Sequence, residues 1–355
     1  MPQQEKKRTH KALPVYRINK HITYMRTAIS VIIPMYNATG FIGKCLHSVF
    51  NQTFTNFEII LIDDCSTDNS IDIAKNLIST APSHLRERIT LLKNDKNSGQ
   101  SFSRNRGIDA AVGEWLYFMD SDDEITNDCF ETLIAKVEEG VEMVIGNYKM
   151  IGYQKIDPFS IEEGIYYPDK IIPQQLHWQI YTMPWNKLIS KEFIKKHNLY
   201  FRPGLIHEDN LWSFCSAFCF NKISVSQKKT YIYYIREGST ERSNTKEFHE
   251  ENLFNVQLYM LEFLYTNKTI NKKACRKHHR AIYKFVEKEI RNFILQPLYR
   301  EDQEKSFDRY KAVRNTNHWS FKNLLTIFLW NKHPLRALHC LLSHERGHKL
   351  YIKKF

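Results

Sequence analysis

Asp120 and Asp122, two carboxylates separated by one residue, are the side chains in this sequence best suited to chemistry. Such a pair can hold a hard divalent ion, Mn²⁺ or Mg²⁺, while the phosphates of a substrate fill the remaining octahedral positions. The ion would act as a Lewis acid and neutralise a diphosphate as it leaves. Because Asp-x-Asp triplets are common in loops, the meaning of this pair depends on the element that precedes it.

The pair follows Trp115-Leu-Tyr-Phe-Met119, an apolar run that predicts a buried strand. Two other polar clusters, residues 34–37 and 63–64, follow similar runs nearer the N-terminus. In an open α/β sheet, ligands bind outside the carboxyl ends of the strands. Asn and Asp also favour ordinary turns, so one such cluster alone means little. Three clusters in this order indicate a binding site.

Strands alternate with helices through the first half of the chain. The predicted strands are 29–33, 57–62, 89–92, 115–119 and 142–146, and the predicted helices between them are 40–50, 66–78, 103–111 and 129–139. This alternation predicts an α/β fold with a Rossmann-like, mostly parallel sheet flanked by helices. Residues 152–230 mix aromatic turns with helices near 171–180, 191–198 and 210–220, and the chain becomes helical and basic after about residue 247.

Composition indicates a globular protein with anionic partners. Of the 355 residues, 42% are hydrophobic and 25% are charged, and the net charge is +12. The seven cysteines are scattered without a C-x-x-C pair, which argues against disulfides or a zinc site and favours a reducing cytosol. We find no signal peptide in residues 1–26 and no apolar run long enough to span a membrane, so we expect a cytoplasmic protein.

The stretch from residue 29 to residue 150 resembles the catalytic core of inverting family-2 glycosyltransferases, which have the glycosyltransferase-A fold. The matching segments are Val31-Ile-Ile-Pro-Met-Tyr-Asn37, 46–53, 57–70, 97–107 and 113–123. Cys65 stands where that family usually has Gly, and Ser103 stands where it usually has Ala. Neither departure touches the expected chemistry.

The resemblance implies a role for each residue of the donor site. Pro34 and Tyr36 would line the nucleobase pocket, Asp64 would hydrogen-bond the base, most often uracil, Asp120 would meet the ribose, a metal-bound water or the metal, and Asp122 would ligate the metal. Arg104 would help to hold the nucleotide. An equal alternative for Arg104 is a pairing with Asp109 or Glu114 on the helix surface.

The second half resembles enzymes that build bacterial surface glycans, through Trp185-Asn-Lys-Leu188, 201–204 and Glu208-Asp209. In that pattern the Asp of the Glu-Asp pair is the general base. The resemblance therefore implies that Asp209 takes the proton of the acceptor hydroxyl, with Glu208 positioning the acceptor or the base. The alternative is an acidic pair that is favoured by the dipole at a helix N-terminus.

Two further assignments complete the predicted site. Arg236, Ser239 and Thr240 would belong to a loop that closes over the diphosphate, or to a plain polar loop. Trp185 would form a platform for the acceptor sugar, or part of a packed core.

The resemblance divides the chain into three parts: a basic arm (1–27), a catalytic domain (28–245) with a nucleotide half (28–150) and an acceptor half (151–245), and a basic helical C-terminal region (246–355). The C-terminal helices would either contact an anionic membrane surface, which would place the enzyme peripherally on the inner face of the cytoplasmic membrane, or cap the catalytic domain.

The expected function is metal-dependent, inverting transfer of a hexosyl or N-acetylhexosaminyl group. The donor would be a nucleotide-sugar, most simply a UDP-sugar, and the acceptor a glycan or lipid-linked glycan of lipooligosaccharide, capsule or another surface polysaccharide. A dinucleotide-dependent dehydrogenase is disfavoured because G-x-G-x-x-G is absent. Two alternatives stay open: a catalytically silent nucleotide-binding scaffold, and a basic nucleic-acid-binding protein. No recognised nucleic-acid-binding module appears, so nucleic acid is not the expected partner.

Overall fold

A computed structural model describes residues 27–152, 159–235, 246–267, 270–278, 280–282 and 284–285. The predicted basic arm up to residue 26, the proposed diphosphate-loop residues Arg236, Ser239 and Thr240, and the C-terminal region beyond residue 285 lie outside the described residues.

Within the described ranges, nine strands form one mixed sheet. They are β1 (Ile29–Met35), β2 (Phe57–Asp63), β3 (Ile89–Lys93), β4 (Trp115–Phe118), β5 (Glu124–Ile125), β6 (Met143–Ile151), β7 (Gly164–Tyr166), β8 (Lys187–Ser190) and β9 (Ile223–Tyr234). The order across the sheet is β3-β2-β1-β4-β8-β6-β9-β5, and β7 also pairs with β9. Strands β1 to β4 are parallel to one another, so their carboxyl ends share one edge.

Helices flank this sheet. They are α1 (Ile42–Phe50), α2 (Ser70–Thr80), α3 (Ser83–Arg86), α4 (Gln100–Ala110), α5 (Cys129–Ile134), α6 (Pro168–Leu176), α7 (Lys191–His197), α8 (Glu208–Ala217), α9 (Lys246–Thr266) and α10 (Lys272–Lys277). Strands β1 and β2 are almost wholly buried, as continuous apolar runs in a covered parallel sheet should be. The predicted mostly parallel α/β fold is confirmed.

The middle of the chain differs from the sequence expectation. Residues 187–190 and 223–234 form strands β8 and β9, where we expected aromatic turns. Strand β8 runs antiparallel between β4 and β6, so β6 does not pair with β4 directly. Strand β8 has only four residues, and β9 carries the polar run Gln227-Lys-Lys-Thr230, so neither shows a clear apolar strand pattern.

Helix α8 packs against α6 and against the first helix of the C-terminal region. Helix α9 packs against α8, and its residues Val256 and Met260 are buried there. Helix α10 packs against α6. Among the helices that the structure describes, none is both long enough and apolar enough to cross a membrane.

Candidate active site

The loops after β1 and β2 are tied together by hydrogen bonds. The Asn37 amide donates to Ser66 Oγ at 3.1 Å, and the Thr67 amide donates back to Asn37 Oδ1 at 2.8 Å. Cys65 lies between these contacts with a positive φ of 63°, which is a conformation that suits the Gly usual in similar sequences. The ring of Tyr36 stays 46% exposed at this edge. The two loops thus form a fixed rim with an aromatic face open to a ligand.

Asp64 organises the loop that leads into α4. Its carboxylate is only 3% exposed, and it accepts hydrogen bonds from Asn94 Nδ2 at 2.6 Å, the Ser98 amide at 2.9 Å and the Gly99 amide at 2.7 Å. A carboxylate offers about four lone-pair positions, so these three donors leave about one for a ligand. Asp64 therefore shapes the pocket in addition to the base contact that the resemblance implies.

Arg104 bridges the two halves of the site. Its guanidinium lies 3.0 Å from Asp120 Oδ1 and 2.7 Å from Glu208 Oε1. Neither surface partner considered from the sequence is used: Asp109, for example, accepts a hydrogen bond from the Tyr200 hydroxyl. The Arg104 side chain is 3% exposed. The guanidinium is therefore placed to orient the Asp120 carboxylate, and its contact with a nucleotide stays a prediction.

Removing one partner of the buried Arg104–Glu208 pair should be strongly destabilising. We expect Arg104→Met to lower the free energy of unfolding by about 3 kcal/mol, because it leaves the Glu208 carboxylate buried without its partner. The double variant Arg104→Met/Glu208→Gln should recover part of this loss. Urea unfolding measures the free energy of unfolding of both variants, and Arg88→Met, a change at an exposed arginine, is the control. A loss no larger than that of the control would contradict the bridge.

Asp120, Asp122 and Asp123 form a tight acidic turn after β4. Asp123 is 1% exposed and accepts hydrogen bonds from the Tyr231 hydroxyl at 2.8 Å and the Tyr234 amide at 3.0 Å. Burial, together with the negative charges of Asp120 and Asp122, raises the pKa of Asp123 to about 8, although the hydrogen bonds from Tyr234 and Tyr231 oppose the shift. A protonated Asp123 lessens the repulsion within the turn. The family pattern includes Asp123 but gives it no role. In the structure its hydrogen bonds with Tyr231 and Tyr234 fix the turn that carries Asp120 and Asp122.

The residues of this turn fit a divalent ion that is shared with a substrate. The Asp120 side chain is 32% exposed and Asp122 is half-buried, so both carboxylates lie near the surface. Within the described residues, no group of three or more His, Cys, Asp or Glu side chains could hold a metal by itself. Mg²⁺ is typically bound by one or two carboxylates together with substrate phosphates, which matches this donor set.

Glu208 and Asp209 begin helix α8 but have opposite environments. Glu208 is 2% exposed and paired with Arg104, whereas Asp209 is half-buried. Burial raises the pKa of Glu208, and the Arg104 guanidinium opposes that shift. Asp209 Oδ2 accepts a hydrogen bond from Thr182 Oγ1 at 3.4 Å, and Oδ1 accepts one from the Asn210 amide at 2.9 Å. Asp209 is therefore the member of the pair whose carboxylate is accessible from solvent, whereas the Glu208 carboxylate is enclosed.

Trp185 lies in the core, which corrects its assignment as an acceptor platform. It is 1% exposed and stacks on Tyr231, with ring centroids 4.4 Å apart and an interplanar angle of 3°. Tyr231 in turn donates its hydroxyl to Asp123 and accepts a hydrogen bond from the Asp120 amide. A sugar cannot stack on a ring that is already covered. Trp185 instead supports the acidic turn through Tyr231.

Lys187, to which the sequence pattern assigned no role, is enclosed beneath the loop that contains Tyr181 and Met183. It is 1% exposed, and its Nζ donates to the carbonyls of Tyr181 and Met183, both at 2.7 Å. Burial lowers the pKa of Lys187 to about 7, against the charge of Asp209, which raises it. Its signal in the sequence was a lysine inside an otherwise apolar segment.

The lowered pKa of Lys187 predicts a pH-dependent stability. From about pH 7 up to its ordinary pKa of 10.5, the unfolded chain binds more protons at this residue than the folded chain does, so stability rises with pH. We expect the free energy of unfolding to gain about 2 kcal/mol from pH 7 to pH 9, relative to Lys187→Met. Urea unfolding at both pH values measures this. Parallel pH profiles for the two proteins would contradict it.

Comparison with known proteins places these features in a family. The family model described as "Glycosyl transferase family 2" matches residues 30–197. Glycosyltransferase GlyG of Streptococcus pneumoniae is 30% identical, over 62% of this chain and 74% of its own length. The uncharacterized glycosyltransferase YibD of Escherichia coli is 33% identical, over 60% of this chain. This chain spans only 63% of YibD, so a part of that relative has no counterpart in the match.

Solved structures share the fold. The crystal structure of Staphylococcus aureus TarS 1-349 in complex with UDP-GlcNAc aligns with a TM-score of 0.61 at 22% identity, and 77% of each chain is covered. A mannosyltransferase of Pyrobaculum calidifontis, in complex with GDP-Man and Mn²⁺, aligns with a TM-score of 0.52 at 11% identity, over 93% of this chain and 84% of its own. The glycosyltransferase-A-like fold implied by the sequence is confirmed.

Proposed function

Because this chain belongs to glycosyl transferase family 2, we propose that it is an inverting enzyme that transfers a hexosyl or N-acetylhexosaminyl group from a UDP-sugar. The acceptor is a hydroxyl of a bacterial surface glycan, free or lipid-linked. The observation that carries the proposal is the Arg104 bridge, which joins the acidic turn at Asp120 to the start of α8, where Asp209 lies. One buried cation thus sets a donor-side carboxylate and a candidate base relative to each other.

The donor side consists of the rim after β1 and β2 and the acidic turn. Pro34 and Tyr36 border the nucleobase, and Asp64 uses its remaining lone pair on the base. Asp120 and Asp122 would hold a Mn²⁺ or Mg²⁺ ion. When bound, that ion supplies positive charge to the departing diphosphate. By resemblance, a loop that contains Arg236, Ser239 and Thr240 closes over the diphosphate.

The acceptor side supplies the base. The acceptor oxygen forms a bond to the anomeric carbon as the bond from that carbon to the diphosphate breaks, and Asp209 takes the hydroxyl proton. Asp209 suits this task because it is half-buried and because each of its carboxylate oxygens accepts a hydrogen bond, one from Thr182 and one from the Asn210 amide. Glu208 acts indirectly, since its pairing with Arg104 fixes the start of α8.

The relatives support the donor and acceptor classes. The structure of TarS from S. aureus contains UDP-GlcNAc, and the curated protein of that name is a poly(ribitol-phosphate) β-N-acetylglucosaminyltransferase, 28% identical to this chain. A silent nucleotide-binding scaffold is the second candidate. The four aspartates of the predicted site, Asp64, Asp120, Asp122 and Asp209, are all present, which favours a working enzyme.

The domain division remains part of the proposal. Residues 28–150 provide the nucleotide half and residues 151–245 the acceptor half of the catalytic domain. The C-terminal region (246–355), whose helices α9 and α10 pack against α8 and α6, also contacts an anionic inner membrane surface through its exposed basic residues. The net charge of +12 and the exposed Lys272 and Lys273 of α10 support that contact. Flotation with anionic vesicles should recover the protein. Equal recovery with neutral vesicles would contradict an electrostatic contact.

Turnover tests the proposed function. The full-length protein is incubated with Mn²⁺, a panel of UDP-sugars and fragments of bacterial surface glycans, and UDP release and the anomeric configuration of the product are followed by NMR. We expect one UDP-sugar to be used and the product to have the inverted configuration. A product with retained configuration, or use of only non-uridine donors, would overturn the corresponding part of the proposal.

A further inference from the structure

A buried amine brackets one residue of the loop between α6 and β8. Lys187 Nζ donates to the carbonyl of Tyr181 on one side of Thr182 and to the carbonyl of Met183 on the other, each at 2.7 Å. The same Nζ lies 4.3 Å from the centroid of the Tyr181 ring. Lys187 is 1% exposed, so water does not compete readily for these contacts. The Lys187 amine therefore fixes the backbone on both sides of Thr182.

Thr182 faces the candidate base. Its Oγ1 donates to Asp209 Oδ2 at 3.4 Å, while the Asn210 amide holds Oδ1 at 2.9 Å. A hydroxyl contact of 3.4 Å is longer than the usual O–H···O hydrogen bond. A small displacement of the loop would therefore break it. Whether Thr182 contacts Asp209 at all depends on how firmly its two neighbouring peptides are held.

The chemistry of lysine suits this task in either protonation state. The ammonium form has three N–H donors and the neutral amine has two, and two backbone carbonyls need a donor. With its pKa lowered to about 7 by burial, Lys187 holds both carbonyls above and below neutral pH. An apolar side chain of similar length would fill the space but leave both carbonyls without this donor.

We propose that Lys187 is a positioning residue for sugar transfer: by holding the peptides on both sides of Thr182, it sets the Thr182 hydroxyl against the Asp209 carboxylate. The inference rests on the proposed role of Asp209 as base. It assigns Thr182 the task of keeping the Asp209 carboxylate turned toward the acceptor. Lys187 is 1% exposed and therefore does not reach a substrate, and the contact by which it positions the Asp209 carboxylate is the one made by Thr182.

Four variants test this chain of contacts under the turnover conditions above. Thr182→Val keeps the shape but removes the hydroxyl, and we expect kcat to fall about 10- to 100-fold with the KM for the UDP-sugar unchanged. Thr182→Ser restores the hydroxyl and should restore most of kcat. Lys187→Met should lower kcat to a similar extent. The kcat of the double variant Thr182→Val/Lys187→Met should be no lower than that of Thr182→Val alone, because both changes remove the contact between Thr182 and Asp209.

A matched control is available in the same region. Lys191 also donates its Nζ to a backbone carbonyl, that of Ala111, so Lys191→Met removes a comparable contact away from Asp209 and should leave kcat unchanged. Additive losses in the double variant, or normal kcat in Thr182→Val, would overturn the inference. If Lys187→Met does not fold, a normal kcat in Thr182→Val still overturns the inference. Thr182→Val should fold, because Thr182 is only half-buried and Val has a similar shape.

Asp209→Asn separates this inference from the function on which it rests. An inactive Asp209→Asn together with a normal Thr182→Val would reject only the positioning role. A fully active Asp209→Asn would reject Asp209 as the base, and the positioning role with it.

Discussion

Asp209→Asn should lower kcat for sugar transfer by about 100- to 10,000-fold, which is the range that a general base contributes. An amide has the size of the carboxylate and can still accept the Thr182 hydroxyl, but it cannot take a proton at neutral pH. In the proposed site the donor binds around Asp64 and Asp122, so UDP should bind the variant as it binds the wild type. The expected result is a protein that binds the donor and does not transfer.

The control for Asp209→Asn is Asp72→Asn, which changes an exposed carboxylate on α2. It should leave both kcat and UDP binding unchanged. Transfer by Asp209→Asn at close to the wild-type rate would place the base elsewhere. Loss of UDP binding together with transfer would indicate a structural role for Asp209 and would also contradict the account.

Asp122→Asn should lower kcat/KM for the donor by about 1,000-fold and remove the response to Mn²⁺. The reason is that the variant loses a hard anionic ligand, and a bound ion contributes several kcal/mol to the stabilisation of a leaving diphosphate. Asp120 should not compensate, because one of its oxygens already faces Arg104 at 3.0 Å. Titration of Mn²⁺ against the rate, with a chelator as the zero point, measures both effects.

Glu124→Gln is the matched control for Asp122→Asn. Glu124 lies two residues further along, where its carboxylate accepts the Tyr234 hydroxyl at 2.6 Å, and an amide can accept the same hydrogen bond. This control should keep the full response to Mn²⁺. Normal activity of Asp122→Asn in the presence of chelator would reject the assignment of the metal ligand.

The donor half was predictable because its signals are local. Strands β1 and β2 are buried along nearly their whole length, so they appear in the sequence as continuous apolar runs. Parallel strands bring their carboxyl ends to one edge, and the clusters at Tyr36, Asp64 and Asp120 follow from that rule alone. The resemblance then added roles to positions that the strand pattern had already singled out.

The acceptor half was less predictable because its contacts are distant in sequence. Arg104 and Glu208 lie 104 residues apart, and nothing near either residue identifies its partner. Trp185 shows a second limit: an aromatic residue suits a sugar platform as well as a core, and only its 1% exposure decides between them. Strand β9 shows a third limit. Its polar stretch obscures the apolar pattern of a strand in the sequence, although this strand supplies Tyr231 to the acidic turn.

The most direct test of the account is calorimetric titration of the wild-type protein with UDP, in Mn²⁺ and in chelator, beside Asp122→Asn. It needs neither the sugar nor the acceptor to be known. We predict that Mn²⁺ lowers the Kd of the wild type for UDP by at least about tenfold, a difference of about 1.4 kcal/mol, and that Asp122→Asn binds with one Kd in both buffers. A folded wild-type protein that does not bind UDP, or that binds it equally with and without Mn²⁺, would contradict the metal-assisted nucleotide site.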